Sequence, residues 1–158
     1  MVIRIAVIAD MPFVFDLIQE LAIFENQPNA VEITIQDLEN DGFCEQPLFG
    51  CFVAEIKNEI VGIALYYYRY STWKGRTIHL EDLIVRKKHR GSGVGIALYT
   101  QIMHQAEKEN IRRVEWAVLN WNQSAIDFYK KTGASHQPEW DVVQMEERDR
   151  NIFLKKQK

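Results

Sequence analysis

The run Leu80-Glu81-Asp82-Leu83-Ile84-Val85, followed by Arg90-Gly91-Ser92-Gly93-Val94-Gly95, decides how the whole chain is read. The first part, apolar around two carboxylates, fits a strand. The second is small and turn-forming, and from there Val94, Leu98, Ile102 and Ala106 recur on one helical face to about Glu109. A strand that enters a glycine turn and leaves as a helix has two readings. Small residues let backbone approach a ligand, and the N–H groups at a helix start favour an anion such as a pyrophosphate. Plain turn chemistry explains the same glycines. A P-loop is excluded, because no Gly-Lys followed by Ser or Thr occurs. A dinucleotide fingerprint fails as well, since Ile96 stands at the third glycine position.

Working outward, residues 2 to 7 alternate as a strand. Asp10 and Pro12 open an amphipathic helix over residues 11 to 24. Thr34 with Asp37 starts a short helix that ends at Gly42. Residues 48 to 56 and 60 to 70 read as a hairpin around Asn58-Glu59, and Ile78 to Val85 follows the Lys74-Gly75 turn as another strand. Val114 to Leu119 is the next strand. Asn122 then caps a helix with Ala125, Phe128 and Tyr129 inward, closed by Gly133. A last strand near Trp140 to Met145 precedes a charged tail. The pattern predicts an α/β fold over residues 1 to 158 as one domain, with a mixed, mostly antiparallel sheet.

Composition sets limits. Nineteen basic against twenty-two acidic residues give a formal charge of −3, which argues against a polyanion binder and so against nucleic acid. No apolar run approaches the ~18 residues of a membrane span, and Met1-Val2-Ile3-Arg4-Ile5 does not begin a signal peptide. Cys44 and Cys51 cannot form a disulfide framework, so a reducing, cytoplasmic setting is expected. His79, His89, His104 and His136 show no ligand spacing, and no metal site is expected.

The Arg90-x-x-Gly93-x-Gly95 loop, followed about 30 residues later by Asn122-Gln123-Ser124-Ala125 and Phe128-Tyr129, resembles the GCN5-related N-acetyltransferases, or GNAT family. Glu20-Leu21-Ala22, Asp41-Gly42-Phe43, Tyr70-Ser71-Thr72-Trp73-Lys74-Gly75-Arg76, Leu80-Glu81-Asp82 and Ala117-Val118-Leu119 are similar to its diamine acetyltransferase group. That group includes spermidine/spermine and thialysine N-acetyltransferases. The resemblance covers nearly the whole chain.

It implies two splayed parallel central strands, residues 78 to 85 and 113 to 119, helices on both sheet faces, and acetyl-CoA wedged between those strands as acetyl donor. Backbone of Leu83, Ile84 and Val85 then pairs with the pantetheine arm. N–H groups of Gly91, Ser92, Gly93, Val94, Gly95 and Ile96, with Arg90 beside them, hold the pyrophosphate. Asn122, Gln123, Ser124 and Ala125 complete the cofactor contacts. Tyr129 is implied as the acid that protonates the departing thiolate, against a plain core aromatic. Glu81 is implied as the acceptor of the amine proton through a water. Phe24, Glu25, Glu81, Asp82, Glu115, Trp116 and Ala117 are implied at the substrate; a solvated helix end is the competing account of Glu25.

As strand neighbours, Glu81 and Asp82 should face opposite ways unless a bulge reorients one. Ser71-Thr72-Trp73 replaces the Asp-Pro-Trp of polyamine enzymes, which favours a lysine-like or small primary amine over spermidine. The resemblance implies a homodimer, with the tyrosines at 66, 67, 68 and 70 compatible with its face. A protein N-acetyltransferase and a non-enzymatic acetyl-CoA-binding module are the alternatives.

Overall fold

In the computed structural model, which describes residues 1–157, five strands form one sheet in chain order. They are β1 (Val2–Ile5), β2 (Gly50–Ile56), β3 (Glu59–Ser71), β4 (Gly75–Val85) and β5 (Val114–Glu115). Neighbours from β1 to β4 pair antiparallel, and β4 pairs parallel with β5. The turn between β2 and β3 is centred on Lys57 and Asn58, with φ of 51° and 63°, one residue earlier than expected. A two-residue hairpin turn of this kind needs positive φ at both central positions, which Asn tolerates and Glu does not. Glu59 is therefore the first residue of β3, opposite Ile56.

Helices cover both faces, as the resemblance implied. On one, α1 (Met11–Phe24) and α2 (Ile35–Gly42) bury Met11, Val14, Leu17 and Leu38 against Cys51, Val53, Ile63, Leu65 and Ile84. On the other, α3 (Val94–Lys108) buries Val94, Leu98, Ile102 and Ala106, the face read from the sequence. Burying one such aliphatic side chain stabilises by roughly 1.5–3 kcal/mol, so these two layers hold the sheet. Gly62 permits the close approach of α3. A Cβ there would lie 2.8 Å from the Ile84 carbonyl oxygen and 3.1 Å from Leu98 Cδ1.

Asp10 departs from its expected role. It ends a short 3-10 turn, Ile8–Asp10, and makes no side-chain cap on α1. Its carboxylate takes Arg4 Nη1 at 2.6 Å, Arg4 Nη2 at 2.9 Å and the Val7 N–H at 2.8 Å. A bidentate guanidinium outcompetes the weaker cap. Thr34 and Asp37 do form the expected capping box on α2. Asn26 and Asn110, in left-handed conformation with φ of 61° and 55°, terminate α1 and α3.

β5 is shorter than the expected strand over residues 113 to 119. Only Ile78↔Val114 and His79↔Glu115 pair. From Leu80 onward β4 is paired on its β3 side alone, and Trp116 turns to pack edge-on against Tyr99 of α3 at 5.7 Å. The two parallel strands thus part after two residues, as implied.

A second compact unit begins at Val118. In it Asn122 Oδ1 accepts the Ala125 N–H at 3.2 Å and starts α4 (Gln123–Lys131). Ile126 is buried, while Ala125, Phe128 and Tyr129 are half-buried. Gly133, at φ 89°, closes the helix: its N–H reaches the Lys130 carbonyl and that of Ala134 the Tyr129 carbonyl. No strand forms over 140 to 145. Trp140, Val142, Val143 and Met145 are exposed, so the apolar run has no buried face to fix it as a strand. The charged tail is instead helix α5 (Glu147–Lys155), with Glu147 and Asp149 in its first turn and Lys155 in its last, which complements the helix dipole.

Candidate functional site

The centre of the site is an irregularity in β4. Leu65 pairs with Asp82 and Tyr66 with Leu80, so Glu81 is an extra residue with no partner on β3. Such a bulge cancels the alternation that would send Glu81 and Asp82 to opposite faces. Both acids act on one neighbourhood: the charges of Glu81 and Glu25 raise the Asp82 pKa, although burial is the larger cause. Together they push the Asp82 carboxyl up to about 7. Glu25, half-buried at the C-cap of α1, is raised by burial. The sequence had set these three carboxylates together, and here each of the three charges bears on Asp82 or is carried by it.

Beside them lies a chain of side chains on β3, β4 and β5. The His79 ring lies against Tyr67, tilted by 34°, with centroids 5.1 Å apart. His79 Nδ1 is 3.2 Å from Arg69 Nη1, and its Nε2 is 3.5 Å from Glu81 Oε2. Arg69 Nη1 also meets Glu115 Oε1 at 2.7 Å, while Arg113 Nε meets Glu115 Oε2 at 2.9 Å. Burial is the main cause that lowers the His79 pKa below 6.5, so the ring is neutral at pH 7. Glu115, expected at the substrate, has both oxygens engaged by guanidinium groups. The sequence reading passed over His79 and Arg69. Their signal was the i, i+2 relation of His79 to Glu81 and the hairpin register set by the Lys74-Gly75 turn, not any ligand spacing.

The glycine loop is built for close approach. Gly91 and Gly93 have φ of 74° and 88°, and a Cβ at either would meet nothing within 4 Å. Gly93 is the N-cap of α3 with no side-chain cap, so the first N–H groups of that helix are not closed off by the loop's own side chains. At Gly95 a Cβ would touch only Val85 Cγ2, at 3.8 Å. The Ser92 hydroxyl donates to the His89 carbonyl at 2.6 Å and braces the turn. Arg90 Nε donates to the Val85 carbonyl at 2.9 Å, with its guanidinium 5.2 Å from the Phe24 ring centroid. That occupies one of the carbonyls expected to meet the pantetheine arm. The backbone of Leu83 and Ile84 lies on the stretch of β4 that β5 leaves unpaired. These are the features an extended arm ending in phosphates requires: an open strand edge, then an open cradle of N–H groups.

Trp116 faces α3 and Ala117 is exposed. In the second unit, Tyr129 stacks edge-on with Phe128 at 5.2 Å, and Gln123 and Ser124 occupy the exposed first turn of α4. Burial drives the Cys51 thiol far above its usual range, so it is no thiolate nucleophile, and Cys44 is exposed and unpaired. Among the described residues no three His, Cys, Asp or Glu side chains group as metal ligands.

Residues 13–134 match the acetyltransferase (GNAT) family. The chain is 40% identical over 140 residues to a Bos taurus thialysine N-epsilon-acetyltransferase, covering 84% of this chain and 82% of that one. A Caenorhabditis elegans thialysine N-epsilon-acetyltransferase is 40% identical over 113 residues, covering 72% and 69%. The Homo sapiens spermidine/spermine N(1)-acetyltransferase-like protein 1 is 36% identical over 139 residues, 84% of this chain but 20% of that longer one. Among solved structures, a V. cholerae integron cassette protein superposes with a TM-score of 0.79 at 25% identity, covering 98% and 97% of the two chains. An aminoglycoside acetyltransferase from an uncultured soil sample superposes at 0.76 and 22% identity, covering 92% and 96%, which speaks to the fold alone.

Proposed function

Since the chain belongs to the acetyltransferase (GNAT) family, we propose that it moves an acetyl group from acetyl-CoA directly onto a primary amine of a small cationic substrate, a thialysine- or lysine-like amino acid or a diamine. The observation that carries this is the trio Glu25, Glu81 and Asp82 around a strand bulge, with Glu25 and Glu81 both acting on Asp82 and no positive charge among the causes that shift it. A carboxylate group of that kind is costly unless a cation occupies it, and an alkylammonium is the matching cation.

In the proposed reaction Glu81 accepts a proton from the substrate ammonium, directly or through one water. The freed nitrogen lone pair attacks the thioester carbonyl; a C–N bond forms and the C–S bond breaks. The sulfur leaves as thiolate and takes the proton of the Tyr129 hydroxyl, and the second proton that the nitrogen sheds as the amide forms returns through water to the Tyr129 oxygen. Acetyl-CoA is held by the loop from Arg90 to Ile96, by the unpaired edge of β4 at Leu83 to Val85, and by Asn122 to Ala125. An acyl-enzyme is unnecessary, and the protonated state of Cys51 supports direct transfer.

The Ser71 hydroxyl accepts the N–H groups of Trp73 and Lys74 at 3.2 Å. It shapes the hairpin tip and carries no charge for a distal ammonium, which supports a lysine-like acceptor over spermidine. We propose further that residues 1 to 158 act as one domain in a homodimer within the cytoplasm. Tyr70 and Trp73, exposed at the tip of the β3–β4 hairpin, support the dimer face. Among the described residues no helix is long and apolar enough to cross a membrane.

The test is turnover with acetyl-CoA and a panel of spermine, spermidine, putrescine, ornithine, lysine and thialysine. Glu81→Gln and Tyr129→Phe are each expected to lower kcat by about 10²-fold or more. Unchanged turnover in Tyr129→Phe would remove the thiolate-protonating role, and a preference for spermidine would overturn the lysine-like reading.

A further inference from the structure

His79 is half-buried, neutral and held from three sides: the Tyr67 ring, the Arg69 guanidinium and the Glu81 carboxylate. A guanidinium has only donors and does not lose its proton. The 3.2 Å contact of Arg69 Nη1 with His79 Nδ1 therefore obliges Nδ1 to accept. The ring proton then resides on Nε2, the nitrogen that faces Glu81 Oε2 at 3.5 Å. Arg69 is itself held by charge, because the same Nη1 lies 2.7 Å from Glu115 Oε1 and Arg113 Nε lies 2.9 Å from the other oxygen of Glu115, both as ion pairs.

We propose that His79 is a positioning residue for Glu81: the Arg113–Glu115–Arg69 chain fixes its tautomer, and its Nε2–H aims the bulged Glu81 carboxylate at the substrate ammonium. The need for such a device follows from the bulge. An unpaired strand residue with about half of its side chain exposed has many rotamers, and a proton acceptor must be held in reach of one atom. A distance of 3.5 Å is long for a hydrogen bond, and contacts of this kind tighten when substrate is bound. His79 does not relay the proton onward. Its Nε2, which faces Glu81, already carries a hydrogen and has no lone pair to take another, and the lone pair of Nδ1 is occupied by the Arg69 donor. Glu115 thereby acquires a role different from the one expected: it holds Arg69 rather than substrate.

This inference rests on the reading of Glu81 as proton acceptor, and the experiment separates the two. His79→Phe keeps a ring against Tyr67 and removes both nitrogens; it is expected to lower kcat about tenfold, with the KM for the amine little changed. His79→Gln, which retains an amide donor toward Glu81, is expected to restore most of that loss. In a Glu81→Gln background, His79→Phe is expected to cost nothing further, because both act through one group. Arg69→Met, at an exposed position where folding is not at stake, is expected to lower kcat about threefold by freeing the tautomer.

Nitrogen-15 NMR of the imidazole supplies a readout independent of activity, with Nε2 protonated and Nδ1 bare. That measurement and Arg69→Met carry the test should His79→Phe fail to fold. If Glu81→Gln is slow but His79→Phe turns over like the unaltered protein, or if the NMR shows the proton on Nδ1, this inference alone is overturned. If Glu81→Gln itself is fully active, the acceptor reading falls and this inference falls with it.

Discussion

Two aspartates enclosed by the same domain meet opposite fates. Asp10 is buried, yet Arg4 grips both its oxygens, the Val7 N–H adds a third hydrogen bond, and Glu55 holds Arg4 from behind at 2.9 Å. Its pKa is lowered, chiefly by the hydrogen bond from Arg4. Asp82 has no such partner; burial raises its pKa, and Glu81 and Glu25 add to the rise. One carboxylate is complete within the fold. The other is left incomplete, and in the proposed function a cation from outside completes it. The contrast separates structural from functional charge without reference to any motif.

The sharpest way to break that contrast is at Asp10. Asp10→Ala leaves Arg4 without its bidentate partner and the Val7 N–H unsatisfied, and is expected to cost about 3 kcal/mol of stability by denaturant titration. Turnover per folded molecule should be unchanged. Its pH dependence has a definite sign. Because the folded pKa is depressed, the contribution of Asp10 is present above its unfolded value near 3.8 and is lost as pH falls through the folded value.

Asp82 should show the reverse. Its folded pKa, about 7, lies above the ordinary 3.8, so the native state holds the proton more tightly. That contribution is complete below pH 3.8 and is lost as pH rises to about 7. Full enclosure would make such a rise worth roughly 4 kcal/mol, and the half-burial of Asp82 brings the expected figure to about 2. Asp82→Asn should therefore stabilise the free protein by about 2 kcal/mol at pH 8 and hardly at all at pH 4, while raising the KM for a cationic amine. An equal gain at both pH values would show that Asp82 is not carrying this burden.

The same contrast shows which features were legible in the sequence. The α3 face from Val94 to Ala106, the Thr34–Asp37 box and the Gly133 stop are local, and spacing within one element is enough to read them. The α/β fold came from the order of elements and its parting central strands from the resemblance, and the geometry agrees with both. Features that depend on partners far along the chain escaped. Asp10 looked like a cap because Glu55 and Arg4 are distant from it in sequence or pull in another direction. The lone histidine on β4 carried no signal beyond its i, i+2 relation to Glu81, because its meaning lies in Arg69 across a hairpin and Glu115 on a parallel strand. Residues 140 to 145 are apolar enough for a strand, but an apolar run alone does not provide a neighbour.

The smallest expected change in stability tests the contrast with donors in place of charges. The N-terminus of α2 is closed by Thr34 and Asp37, whereas that of α3 begins at Gly93 with no side-chain cap. Gly93→Ala and Gly95→Ala probe the open end differently. Gly93 has φ 88°, so alanine there is strained by roughly 1–2 kcal/mol whether or not a ligand binds, and lost activity is ambiguous. Gly95 is helical, and its new methyl would meet only Val85 Cγ2 at 3.8 Å. In the free protein Gly95→Ala should be neutral or stabilising by up to about 1 kcal/mol, since alanine is the better helix former. If the uncapped N–H groups receive a pyrophosphate, that methyl stands where the phosphates must approach, and the KM for acetyl-CoA should rise at least about tenfold while the melting temperature holds or climbs. A variant that is more stable and equally active would show that α3 is open without being a cradle, and the ligand would have to be held by β4 and α4 instead.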